Sequence, residues 1–453
     1  MSETMRESAA PATAGELLEL VRTGRAATRS DLRRLTGLSR TAVVSRVSAL
    51  TEAGLLLLGE ELASTGGRPP GALVFNKDAG VVVAVAVGRS RTQLGVYDLE
   101  GTELVSHSGD HEVGAGPDEL MPAVAERLAE LLQGVEPPVA GVGLSLPGTV
   151  DVARGLSIDS PVMAGWDGVE LAPYLQDVAR APLFVGNDAD VLARAELLGR
   201  SGELADALVV KASTGLGLGI IADGRVLSGH VGAAGEIGHT RIEAADALPC
   251  RCGATGCLET VAGGWALVGR LAEHGHEVGH VRDLVALALR GDATARALLR
   301  DSGRHLGELL AVAVNLLNPQ AVVLGGDMAS AFDTYSAGVR ESIYARAAAL
   351  ATRDLQILPA TRAACVTSRA STAAGARTWS RARARCDDAR VINGLMWLIG
   401  CQLVGEVLVR LADAPVPGPV VGMVVLLVLL RVRRSGDDAT VVRAADGLLR
   451  HSG

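Results

Sequence analysis

Between residues 236 and 259 the chain gathers one histidine and three cysteines: Glu236-Ile237-Gly238-His239, then Cys250-Arg251-Cys252 and Cys257-Leu258-Glu259. An imidazole and three thiolates make the soft tetrahedral shell of a closed, structural zinc site, which leaves no position for a reactive water. The glycines between the cysteines let a short loop fold back on one point, which four side chains that merely pack would not need. Zinc on His239, Cys250, Cys252 and Cys257 would pin this loop. Its carboxylates Glu236 and Glu259 would then stand beside the metal ligands, ready to accept hydrogen bonds from hydroxyl groups. Of six cysteines in 453 residues three lie in this loop, a metal-site pattern and not a disulfide framework.

The remainder sorts into four parts by composition: 1–75, rich in arginine and helix formers; 80–375; an arginine-rich linker at 376–390; and an apolar tail at 391–453. In the second part strand-like runs such as VVVAVAV, GVGLSLPG, ALVVK and QAVVLGG alternate with helical stretches at 117–133, 188–200 and 295–316. That alternation predicts an α/β fold with glycine-rich turns at strand ends, where ligands bind. A hydrophobic content of 48% supplies more than one core. Aromatic residues at 2% exclude a base-stacking platform, and a net charge of −8 excludes a uniformly basic polyanion binder while leaving room for one basic module. Only Lys77 and Lys211 are lysines, a scarcity that reads as coding bias. The opening MSETMRESAAPATAGE has no apolar stretch of a secretory signal, so the bulk of the chain is expected in the cytoplasm.

The basic module is the first segment. From Arg22 to Arg46 there are seven arginines against one acidic residue, Asp31. Three short amphipathic stretches, each closed by glycine and with Ser30 and Ser39 placed as N-caps, predict a helix-turn-helix, and Leu55–Leu58 with the Thr65–Pro69 turn predicts a β-hairpin wing. Ser39, Arg40, Thr41, Ser45 and Arg46 fall on the recognition helix and Arg68 on the wing, a placement suited to DNA. A small helical oligomerisation domain with a solvated arginine face is the plainer alternative.

Read in order, STGGRPPGALVFN, GLSLPGTVD, GNDADVLARAE, STGLGLGII, GAAGEIGH, CRCGATGCLE and NLLNPQAVVLGG resemble the successive hallmarks of the ROK family of repressors and sugar kinases, over about residues 15–375. The resemblance implies an actin-like, hexokinase-like pair of α/β lobes with a sugar, a hexose or amino sugar, bound between them. It places the sugar contacts on Asn187, Asp188, Glu236, His239 and Glu259, with His239 also a zinc ligand. In kinases of the family the residue matching Asp188 is the base that deprotonates the acceptor hydroxyl. Without those motifs an Asn-Asp pair ahead of a helix reads as an N-cap.

For ATP and magnesium the parts are unequal. Active members resemble Asp-x-Gly-Gly-Thr at the end of the first strand, whereas this chain reads Ala86-Val87-Gly88-Arg89-Ser90 and lacks the carboxylate. Thr214, Gly215 and Gly217, with Gly325 and Gly326, keep the glycines of a nucleotide site, and equally of tight turns. The expectation is a sugar-responsive repressor without catalysis, working on operator DNA as a homodimer or tetramer; an active ATP-dependent sugar kinase with a DNA-binding domain is the alternative. A regulator that answers to a phosphosugar or a protein partner is a third reading.

From Val391 two apolar stretches, joined by a proline-rich turn, end at Arg431-Val432-Arg433-Arg434. They read as a membrane hairpin over 391–434 or as a buried helix pair. GLMWLIGCQLVGEVLVRL, PVPGPVVGMVVLLVLL and AADGLLRHSG resemble the start of the CidA/LrgA family of holin-like membrane proteins, which implies membrane tethering or a junction between two formerly separate genes.

Overall fold

The computed structural model describes residues 12–61, 71–152, 154–158, 163, 165–200 and 203–361. The chain forms two units, 1–376 and 377–453, and all described residues belong to the first. The wing tip with Arg68, the linker 376–390 and the apolar tail 391–453 lie outside the described residues. Among the described residues no helix is long and apolar enough to cross a membrane.

Three short helices open the chain: α1 (Ala14–Arg22), α2 (Arg29–Thr36) and α3 (Arg40–Glu52). Each stops where a glycine takes a left-handed backbone, at Gly24, Gly37 and Gly54. Ser39 caps α3 as expected, its hydroxyl accepting from the Ala42 amide at 3.2 Å. Ser30 does not cap α2. That place belongs to Thr28, because Asp31 returns its carboxylate to the Thr28 amide and completes a reciprocal capping box that a serine inside the first turn cannot make. Strands β1 (Leu56–Glu61) and β2 (Gly71–Phe75) pair antiparallel beside the helices, and Leu17, Leu32, Val43, Val47, Leu56 and Leu73 close a small core of their own.

The first lobe follows: β3 (Val81–Val87), β4 (Arg91–Asp98), β5 (Glu103–Asp110), α4 (Pro117–Leu132), β6 (Val139–Leu146), the short strands β7 (Val150–Asp151), β8 (Leu156–Ser157) and β9 (Val169–Glu170), α5 (Ala172–Leu175) and β10 (Leu183–Asn187). Its five-stranded sheet runs β10-β6-β3-β4-β5, with β3, β4 and β5 an antiparallel meander and β6 and β10 added parallel to β3. Strand β3 is apolar throughout because it is central, covered on both faces, and so loses the alternation of a half-exposed strand.

Helix α6 (Asp188–Gly199) leads into the second lobe. There come β11 (Ala207–Ala212), β12 (Leu216–Ala222), β13 (Arg225–Leu227), a long loop, α7 (Glu259–Ala262), α8 (Gly264–Glu273), α9 (Val281–Leu289), α10 (Ala293–Leu317), β14 (Ala321–Gly325), α11 (Phe332–Arg346), α12 (Ala349–Thr352) and β15 (Gln356–Pro359). The sheet order is β13-β12-β11-β14-β15, again a meander of three with two parallel strands beside its first member. The two lobes therefore repeat one topology, although no sequence repeat marks it. The β3–β4 turn and the β11–β12 turn occupy equivalent positions and line the same cleft.

Candidate ligand cleft and metal centre

A cleft of about 810 Å³ lies between the lobes, a size that accommodates a small ligand. At its floor β10 ends and α6 begins. Asn187 is the N-cap of α6: its Oδ1 accepts from the amides of Ala189 (2.8 Å) and Asp190 (3.2 Å), and its Nδ2 donates to the Gly148 carbonyl at 2.8 Å. This side chain fixes the first turn of the helix and with it the carboxylate of Asp188. Asp188 is ion-paired with Lys211, which projects from β11, and both are largely buried.

Glu236 precedes and His239 ends a single helical turn at Ile237–His239, while Glu259 opens α7. Glu236 reaches the cleft, yet the protein around it pushes its carboxyl above the ordinary range, opposed by neighbouring His239. Glu259 is only 3% exposed. One of its oxygens accepts from the Leu216 amide (3.0 Å) and the other from Trp265 Nε1 (2.9 Å), so the β11–β12 turn and α8 are both tied to it. The guanidinium of Arg251 lies 4.3 Å from the centre of the Trp265 ring.

The four metal-type side chains converge, with the donor atoms of His239, Cys250, Cys252 and Cys257 all within 4.8 Å of one another. Cys252 Sγ and Cys257 Sγ are 3.7 Å apart, and Cys250 Sγ is 3.6 Å from His239 Nδ1. Bond lengths of about 2.3 Å to sulfur and about 2.0 Å to nitrogen around a tetrahedral zinc require edges of roughly 3.8 and 3.6 Å. The donor set and these two separations fit that ion. Burial pushes the Cys257 thiol up to about 12, and a bound cation would reverse this by holding it as thiolate.

Thr214, Gly215, Gly217, Gly325 and Gly326 all line the cleft. Ser213 and Asp327 join the last two to the turn, the Ser213 hydroxyl donating to Asp327 Oδ2 and accepting from the Asp327 amide, each at 2.9 Å. Gly217 has a packing role as well, since a Cβ there would stand 2.8 Å from the Ala189 Cβ of α6. Across the cleft Ala86, one residue before the end of β3, brings no carboxylate, and Arg89 stands in the turn after the strand. His280 caps α9 through Nδ1, which accepts from the Arg282 amide at 3.1 Å. Its Nε2 therefore carries the proton and donates to Ser90 Oγ at 2.9 Å, joining the second lobe to the first.

On α3, Arg40, Thr41 and Ser45 are exposed, whereas Arg46 is half-buried and donates to the Ala42 carbonyl at 3.2 Å. The sequence reading passed over Lys211, Trp265, Asp327 and His280. For Lys211 a signal existed: it is one of two lysines in the chain and sits at the inner end of a strand before a glycine-rich turn.

Paired lobes of repeated topology with a cleft between them define an actin-like, hexokinase-like α/β protein, preceded by three short helices and a two-stranded sheet. The chain belongs to the ROK family, whose model matches residues 82–392, and residues 402–452 match the LrgA family. It is 28% identical over 335 residues to the xylose repressor of Bacillus spizizenii, covering 73% of this chain and 86% of that one. Among solved structures it is similar to a ROK family transcriptional regulator described as a homologue of the E. coli MLC protein, at 25% identity and a TM-score of 0.67, covering 81% of this chain and 98% of that one. A ROK family glucokinase from Streptomyces griseus, solved with glucose and AMPPNP, matches at 26% identity and a TM-score of 0.58, covering 66% of this chain and 100% of that one.

Proposed function

We propose that the chain is a sugar-responsive transcriptional repressor that binds operator DNA through α3 and the wing, and that its ROK domain, held by structural zinc, senses a sugar without phosphorylating it. The observation that carries this reading is the pairing, on one chain, of an exposed arginine-bearing recognition helix with the sugar-kinase type of cleft. Loss of catalysis is supported by two features of that cleft: Ala86 where a metal-holding carboxylate is needed, and the Lys211 ammonium on the would-be base Asp188. Sugar held by Asp188, Glu236, His239 and Glu259 favours one placement of the lobes and thereby changes how the helix-turn-helix units of a dimer or tetramer meet their half-sites. The LrgA-like tail would tether the regulator at the cytoplasmic face of a membrane, which fractionation of the full chain tests.

The decisive experiment is a thermal-shift screen of sugars against the purified chain, with ATP consumption followed for every hit. Stabilisation without turnover is expected. Turnover lost in Asp188→Ala would establish the kinase instead. In the same preparation Arg40→Ala should weaken operator binding by about tenfold and leave sugar binding as in wild type; unchanged DNA affinity would remove α3 from the interface.

A further inference from the structure

Resting on the sugar-sensing reading, we infer that the cleft selects a sugar carrying an anionic group, a phosphate or a carboxylate, and that Arg89 is the residue that meets it. Arg89 stands in the β3–β4 turn and lines the cleft, and its Nε and Nη1 are buried without a hydrogen-bond partner among the described residues. A guanidinium keeps its charge under all ordinary conditions, so burying two of its donors with nothing to receive them is costly. Among the described residues no carboxylate is hydrogen-bonded to these two donors. Glu259, the acidic residue that acts on Arg89, already accepts from Leu216 and Trp265 with its two oxygens. Asp188 is paired with Lys211, and Asp327 is bonded to Ser213.

The charge balance around Arg89 points the same way. Burial and the nearby guanidinium of Arg251 oppose its positive charge more than Glu259 and Cys250 favour it. A neutral sugar hydroxyl would give an acceptor but no countercharge. A phosphate or carboxylate gives both, as a charge-assisted hydrogen bond. Glu236, meanwhile, remains open to the cleft for hydroxyl groups. The ligand so described has hydroxyls at one end and an anion at the other. In place of a backbone turn that would cradle a phosphoryl group in transit, the first lobe offers a side chain suited to an anion already attached to the sugar.

The test is calorimetric titration of the full chain at fixed ionic strength with glucose, N-acetylglucosamine, their 6-phosphates, glucuronate and ATP. An anionic sugar is expected to bind about tenfold or more tightly than its neutral parent, and the phosphates against glucuronate tell which anion is recognised. Arg89→Met should abolish the preference, and Arg89→Lys should keep part of it; zinc content and melting temperature report whether each variant folds. Neutral sugars bound as tightly as the anionic ones, a preference that survives in Arg89→Met, or Arg89-dependent binding of ATP alone would each overturn the inference. Tight neutral-sugar binding overturns it while the sensor reading stands, whereas binding of no sugar at all removes both.

Discussion

The two lobes repeat one sheet topology, yet their first hairpin turns are built in opposite ways. In the second lobe, the Ser213–Gly215 turn is locked from several sides: Glu259 receives the Leu216 amide, the carbonyls of Ser213 and Thr214 accept from the amides of Gly264 and Trp265, and Ser213 is bonded to Asp327. In the first lobe, the Gly88–Ser90 turn is held by the Gly88 amide on the Arg91 carbonyl (2.8 Å), the His111 amide on the Ser90 carbonyl (3.0 Å) and Ser90 on His280, with no buried carboxylate bonded to it among the described residues. The glycine-rich turn is thus tied into the packing, and the other presents the Arg89 side chain to the cleft. Glycine richness is poor evidence of nucleotide binding where close packing alone demands it.

If the second lobe is rigid because a metal loop braces Glu259, removing the metal should have the largest effect. Structural zinc contributes on the order of 10 kcal/mol of apparent folding free energy in small peptides. Here α7 and α8 also anchor the loop, so Cys257→Ser or chelation is expected to cost roughly 5 kcal/mol and to release about one zinc per chain. Metal analysis with a thermal melt decides it. A zinc-free protein that melts like wild type would show that the loop needs no brace.

The glycines allow a direct confrontation of the two turns. A Cβ on Gly215 would lie 2.7 Å from Glu259 Oε2, a buried atom held in place by the Leu216 amide, whereas one on Gly88 meets only the Arg91 carbonyl, at 3.0 Å. Gly215→Ala is therefore expected to cost about 2–4 kcal/mol and Gly88→Ala about 1 kcal/mol in urea unfolding. Equal losses would erase the distinction between a packed turn and an open one.

The sequence makes the larger part of this architecture legible, because strand and helix periodicities, capping residues and the His239/Cys250/Cys252/Cys257 spacing are local properties. β3, α6 and α10 lie where the apolar runs place them, and the four metal-type residues meet. What local patterns do not carry is the third dimension of the cleft. Lys211 reaches Asp188 across 23 residues, Trp265 turns back to Glu259, and His280 meets Ser90 from 190 residues away. The same limit hides the duplication, since two sheets can share an order of strands with unrelated side chains. Ser30 failed as a cap for a local reason: Thr28 sits three residues before Asp31, the spacing that a capping box requires.

The smallest effect expected concerns the helix that backs the rigid turn. Asp190 on α6 is 8% exposed and receives a hydrogen bond from Ser228 at 3.0 Å. Burial raises its pKa from 3.8 to about 6, partly offset by that bond and by Arg194. The folded chain therefore keeps a proton that the unfolded chain has lost between about pH 4 and 6, and the stability tied to that proton is present below about pH 4 and gone once pH rises past about 6. Asparagine mimics the protonated form and still accepts from Ser228. Asp190→Asn should consequently stabilise the protein by about 1–2 kcal/mol at pH 8 and leave it unchanged at pH 4. Denaturant melts at the two pH values measure the difference. A gain of the same size at both would mean that packing against β12, and not the buried charge, limits this helix, and the rigidity of the second turn would then owe nothing to electrostatics.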